Sequence, residues 1–423
     1  MSDLIPRLQK LVRDYPAQFW LIFAGMLIST IGSSMIWPFL MIYVSKKLAV
    51  PLTQVASLIT IQAMMGLVFA LVAGPIIDRV GRKWVMVISL VGNGLVYVLL
   101  SQAQTYAEFA LAEALLGAFN PLYRVGADAM IADLIPQEKR PTAYAILRMS
   151  GNTGVAIGPA IGGFVAVQSY ATAFFIASGG MIIYGLLVAL KARETLPVFD
   201  RGTERRTVFE GYGKILHDRE FMSFTFAFTL TSMLASLIWI LLPVYSNLQF
   251  GIPENRYGFI PTTNAVMVVA LQYLVTTLTK HFKPLSVMTV GTAFYAAATA
   301  MIALFSGFWG FWLCMVVMTV GELILIPTSN TYTANLAPAD MRGRYMSIYG
   351  LTHSVASGIA PLVGGFLSDT ISPRATWVGG GVIGLISVLA FVALAARYRQ
   401  PANPGDGLVV QSIESEGQKN LRL

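Results

Sequence analysis

Six ionisable side chains stand inside long apolar runs of this 423-residue sequence: Glu113, Asp128, Glu322, Arg124, Arg148 and His353. A charge at the centre of a hydrocarbon layer costs roughly 3 kcal/mol or more, so each calls for a partner or a task. Glu322 is midway along its run, with Thr319, Ser329 and Thr333 on its face and no basic residue of the second half at matching depth. An acid so placed is expected to keep its proton at rest, as a proton carrier must. Glu113 and Asp128 are further proton-coupling candidates. The rival reading of Glu322 is a neutral hydrogen-bonder inside the bundle.

Spacing groups these residues. At 100° per residue, Glu113, Gly117, Asn120, Arg124 and Asp128 fall within about 80° of one helix face. Such a stripe is expected to face an interior cavity rather than lipid. Arg124 and Asp128 are four apart and can pair on that face. Arg148, flanked by Tyr144 and Asn152 one turn either way, belongs at similar depth. An Arg124–Asp128–Arg148 charge network is therefore expected, serving either as a static brace or in function. His353 could titrate near neutral pH. Trp37, Asn120, Asn152, Trp239, Glu322 and His353 are the candidate lining of a substrate cavity. The two tryptophans have a rival reading as anchors at the membrane interface.

The elements that must hold these residues are transmembrane helices. The composition is 56% hydrophobic and 12% charged, against roughly 25% charged in an average soluble domain. The charges cluster in short segments between apolar runs of about 20 residues, the length a hydrocarbon slab demands of a helix. Spans are predicted near 19–44, 53–77, 84–102, 106–133, 143–167, 171–190, 221–247, 257–279, 285–306, 309–335, 343–369 and 374–396. The predicted fold is an all-α membrane protein of twelve transmembrane helices in two six-helix repeats. Its parts are a cytoplasmic N-terminal segment (1–18), a six-helix bundle (19–190), a cytoplasmic linker (191–220), a second six-helix bundle (221–397) and a cytoplasmic tail (398–423). Leu4, Leu8 and Leu11 recur at helical spacing and suit a membrane-surface segment; no removed signal peptide is expected. The tail from Gln400 is polar and reads as disordered.

Charge placement sets the orientation. With the N-terminus in the cytoplasm, the cytoplasmic segments hold 23 of the 29 Lys and Arg, and the outer loops hold Lys46, Lys47, Arg256 and Arg374. That asymmetry places both termini inside and accounts for the net charge of +8 without nucleic acid. Three histidines and the single Cys314 offer no metal-ligand spacing, and no phosphate-binding loop is present for ATP-driven pumping. A membrane enzyme is correspondingly disfavoured.

The halves repeat at an offset of 202: Ser34 with Ser236, Trp37 with Trp239, Tyr43 with Tyr245, Pro159 with Pro361, and Gly162-Gly163 with Gly364-Gly365. Parallel repeats of this kind place a site at their interface near the midplane.

Gly74-Pro75-Ile76-Ile77-Asp78-Arg79-Val80-Gly81-Arg82-Lys83 resembles the signature loop between spans two and three of the major facilitator superfamily. The resemblance covers essentially the whole chain. It implies a cytoplasmic gate formed by Gly74, Asp78, Arg79, Gly81, Arg82 and Lys83 with Asp133 at the end of span four, latched in the outward-open state. In the second half Lys280 stands at the Asp78 position. Gly154-x-x-x-Gly158-Pro159-x-x-Gly162-Gly163 resembles the helix-bend motif of twelve-span drug:proton antiporters in that superfamily. Gly321-Glu322 with Pro327 is similar to a stretch in some of them whose acid is protonated in transport. Those exporters carry an arginine in span four where this chain has Glu113. The resemblance implies a secondary transporter, proton-coupled and exporting lipophilic or cationic small molecules. The alternative is a metabolite, sugar or lipid-linked carrier of the same fold. The expected cofactor is none beyond the coupling proton. The expected partners are a small-molecule substrate and membrane lipid, for a monomer in the plasma (inner) membrane.

Overall fold

The computed structural model describes residues 14–196, 212–338 and 341–398. The N-terminal leucine repeat, the middle of the linker and the polar tail lie outside the described residues. Twelve long helices are present: α1 (Ala17–Leu48), α2 (Leu52–Val80), α3 (Arg82–Gln102), α4 (Tyr106–Leu134), α5 (Arg140–Gln168) and α6 (Tyr170–Lys191), followed by α7 (Arg219–Phe250), α8 (Phe259–Thr279), α9 (Pro284–Leu304), α10 (Gly307–Leu336), α11 (Arg342–Thr370) and α12 (Ala375–Arg397). Single turns at Gln137–Lys139, Tyr212–Leu216 and Glu254–Tyr257 join them, and no strand occurs among the described residues.

Local chemistry sets the helix ends. Thr105 and Glu108 form a reciprocal capping box at the start of α4, which satisfies backbone donors that a helix leaves open. Asp218 and Ser169 cap α7 and α6 through the amides of Phe221 and Thr172. Gly251 ends α7 at φ 63°, and Gly81 turns between α2 and α3 at φ 100°, where a glycine bears no steric cost.

Ten helices are long and apolar enough to cross a membrane. The two that fall short are α4 and α5, which carry Glu113, Arg124, Asp128 and Arg148. These charges dilute their apolarity. Large apolar side chains face outward along the bundle, among them Met64, Leu71, Val269, Tyr273 and Leu385. A soluble surface rarely shows such a belt, and the chain is an all-α membrane protein.

Packing recurs at an interval of six helices. α1 packs on α5 as α7 packs on α11, α2 on α4 as α8 on α10, and α3 on α6 as α9 on α12. The two sets meet where α2 lies on α11, α5 on α8, and α1 on α7. The end of the bundle carrying Arg82 and Asp133 is the Arg82 face; the opposite end, carrying Lys46 and Glu254, is the Glu254 face.

Candidate functional site

A cavity of about 570 Å³ lies between the first six helices and the last six. Every residue expected to line it does so: Trp37, Asn120, Asn152, Trp239, Glu322 and His353. The Trp37 and Trp239 rings stand 5.4 Å apart, centroid to centroid, at 58°. They are walls of the cavity, because their helices α1 and α7 cross at the interface and turn equivalent positions toward each other. The rival reading as membrane-interface anchors is set aside.

Glu322 sits on α10, where its Oε2 accepts a hydrogen bond from Asn264 Nδ2 at 2.8 Å. The same amide group reaches Thr319 Oγ1 at 2.9 Å. Asn264 thus binds a carboxyl group without supplying a counter-charge. On the first half Asn93 donates to Asn120 Oδ1 at 3.1 Å. The offset of 202 relates Asn120 to Glu322 and Gln62 to Asn264, and all four line the cavity. The acid therefore stands on one side of a site that is otherwise an amide pair.

The expected Arg124–Asp128–Arg148 network does not form as ion pairs: among the described residues, none of the three is within 4.0 Å of an opposite charge. All three are exposed, and long side chains in open, hydrated space lose little by staying apart. Glu113 is apart from the cavity wall, only 1% exposed, and its Oε2 has no hydrogen-bond partner among the described residues.

The Glu254 face is closed. Lys46 Nζ meets Glu254 Oε1 at 2.8 Å, and Tyr170 donates to the same oxygen at 2.6 Å. Burial pushes the Glu254 carboxyl up, but the hydrogen bonds from Lys46 and Tyr170 outweigh it and hold the group below its ordinary range. Asp369 of α11 accepts from Leu52 N at 3.1 Å and from Thr53 N at 2.7 Å, capping α2 across the interface. Glycines permit this approach. A Cβ on Gly163 would collide with the Glu254 carbonyl, and one on Gly365 would stand 2.9 Å from Thr53 N. Gly154, Gly158 and Gly162 instead seat α5 on Thr30, Ser34 and Met35 of α1. The expected bend motif therefore works as a packing stripe, with Pro159 continuous inside α5.

On the Arg82 face the halves meet less closely: no extensive packing joins α4 or α5 to α10 or α11 among the described residues. Of the residues expected to form the gate cluster, Arg82 comes together with Asp78 and Asp133. Arg82 Nε meets Asp133 Oδ2 at 3.1 Å and its Nη1 meets Asp78 Oδ1 at 3.3 Å. All its members belong to the first six helices, so here it braces α2, α3 and α4 to one another. Glu194, after α6, accepts from Arg82 N at 2.9 Å and Lys83 N at 3.2 Å and lies against Gly81. Gly74 has open space around it, and Arg79 makes no ion pair among the described residues. Sequence reasoning missed Asn264, Glu194, Glu254 and Asp369. Of these, Asn264 had a legible signal, its offset partner Gln62.

A sequence profile of the Major Facilitator Superfamily matches residues 22–253 and 224–415. The chain belongs to that superfamily. It is a multi-pass membrane transporter of a small molecule, not an enzyme. Its superfamily relatives include a Na(+), Li(+), K(+)/H(+) antiporter of Planococcus maritimus, 25% identical over 84% of this chain and 90% of the relative. The multidrug resistance protein MdtH of Escherichia coli O1:K1 is 23% identical over 77% of this chain and 81% of its own length. A solved peptide-bound transporter of the POT family shares the fold at a TM-score of 0.76, with 15% identity over 91% of this chain and 97% of that one.

Proposed function

We propose that this superfamily member exchanges protons for lipophilic or cationic small molecules by alternating access, exporting its cargo. All twelve long helices are read as spans in two six-helix repeats. The Lys and Arg distribution supports a cytoplasmic Arg82 face and cytoplasmic termini, and the membrane is read as a bacterial inner membrane. The conformation described is then inward-open, its outer side sealed by Glu254 and Asp369.

One observation carries the reading: Glu322 lines the cavity on Asn264. A carboxyl group held by an amide, with no ion pair among the described residues, can hold a proton or a cationic cargo but not both. That competition is what antiport requires. The paired rings of Trp37 and Trp239 suit a flat or cationic cargo, and the names of the antiporter and multidrug relatives point the same way. Arg124, Asp128 and Arg148 are read as a charged vestibule on the cytoplasmic side.

The experiment is proton flux in proteoliposomes with a lumenal pH dye and a panel of lipophilic cations and neutral drugs. Cargo-dependent proton movement that vanishes in Glu322→Gln supports the assignment. Unchanged efflux by that variant contradicts it. A second reading, a polar metabolite carrier, draws support from Ser33, Gln62, Asn120, Asn152, Ser236 and Ser357 in the cavity wall. Proton flux with polar metabolites but none of the cations would favour it.

A further inference from the structure

We propose that Glu113 is a second proton-carrying acid, reached from the cavity through Tyr97, so that two protons enter for each cargo expelled. This inference rests on the antiport reading above and adds a stoichiometry to it. Glu113 lies about 10 Å along α4 from its Thr105 end, by helix rise. It is 1% exposed, and its Oε2 is without a hydrogen-bond partner among the described residues. Packing alone gives no reason for an acid here, since an alanine or leucine would fill the position at no electrostatic cost. An ionised carboxylate with no partner is costly in such a place, whereas the protonated acid is tolerated.

The route is on the same helices. Tyr97 of α3 lines the cavity, and α3 packs along α4, the helix that carries Glu113. Leu116 and Asn120 carry α4 into the cavity one and two turns beyond the acid. The 202 offset sets Met315 opposite Glu113, so the second half has no counterpart. Glu322 and Glu113 would be the two acids, one in the cavity wall and one behind it.

The consequence is electrical. One proton exchanged for a monovalent cation moves no net charge, and only a pH gradient can drive it. Two protons move one net charge inward, so the membrane potential also drives export. One net charge corresponds to a tenfold cargo gradient for about 59 mV.

The test uses the full chain in proteoliposomes with ethidium as probe, no pH gradient, and a potential clamped by a tenfold potassium gradient with ionophore. The wild type is expected to sustain an ethidium gradient approaching tenfold. Glu113→Gln is expected to lose that gradient while a pH gradient still drives exchange, and Glu113→Asp to recover part of it. Tyr97→Phe is expected to slow the potential-driven exchange. Proton-coupled ethidium exchange that ignores potential in the wild type overturns the second acid and leaves the antiport reading standing, whether or not the variant folds. Potential-driven exchange retained in Glu113→Gln overturns it equally. Absence of any ethidium-coupled proton flux in the wild type removes the antiport reading and this inference together.

Discussion

Lys46 and Glu254 form a 2.8 Å ion pair that joins the first six helices to the last six. The pair is asymmetric in exposure: the lysine is 46% exposed and the glutamate 7%. A half-exposed pair contributes roughly 0.5 kcal/mol, whereas a hydrogen bond to a charged group contributes about 1.5–3 kcal/mol. Tyr170 supplies the latter. Lys46→Met is therefore expected to loosen the seal of the Glu254 face slightly, and Tyr170→Phe or Glu254→Gln distinctly more. Distances between spin labels placed on the two halves at the Glu254 face report the shift.

The pH dependence of that seal has a definite sign. Glu254 titrates below its ordinary range when the face is closed, despite its burial. Its contribution is then fully present above the ordinary glutamate value, about 4.3, and is lost as pH falls through the closed-state value. Closure is expected to be unchanged between external pH 8 and 5 and to weaken only below about 4. The same label pair, titrated from outside, measures it.

Glycines at the interface and glycines within one half should fail differently. A side chain at Gly163 or Gly365 meets the backbone of the opposite half. Gly163→Leu or Gly365→Leu is expected to fold but to resist closing, with transport down at least about tenfold, a barrier change of about 1.4 kcal/mol. Gly158→Val instead collides with Ser34 and Ile31 of α1, and overpacking of that kind costs about 1–3 kcal/mol of stability. Thermal unfolding in detergent separates the two cases.

Glu194 ties the end of α6 to the start of α3. Glu194→Ala is expected to remove about 1 kcal/mol, as loss of a helix cap does. It is also expected to free the Arg82–Asp133 pair that Glu194 and Thr195 border. Hydrogen exchange at the first turn of α3 checks this, and unchanged protection there would contradict it.

Trp37 and Trp239 should contribute to cargo affinity. A desolvated cation over an aromatic face gains about 2 kcal/mol. Trp239→Ala is expected to weaken binding of aromatic cations by about 10- to 30-fold, at 1.4 kcal/mol per tenfold. Binding titrations in detergent read it directly.

Much of the architecture was legible because apolar runs, loop charges and the 202 offset are written in residue types. The offset carried further than the motifs: it pairs Trp37 with Trp239, and Asn120 with Glu322, in one cavity. The partners of those residues were harder to read. Asn264 lies on a different helix from Glu322, and no spacing rule connects α8 to α10. Glu254 and Asp369 stand in loops or at helix ends, where a charge is ordinary and its partner is set by how the halves meet. The network drawn through Arg124, Asp128 and Arg148 followed from helix geometry alone. It could not register that the three side chains stand exposed and apart.

The central claim is that a proton and a cargo compete for Glu322. Its most direct test is proton release on cargo binding by purified protein in unbuffered detergent solution, followed with a pH indicator. The account predicts release when ethidium or another bound cation is added to the wild type, and none from Glu322→Gln. Equal release from both proteins, or binding by the wild type with no release at all, would contradict it.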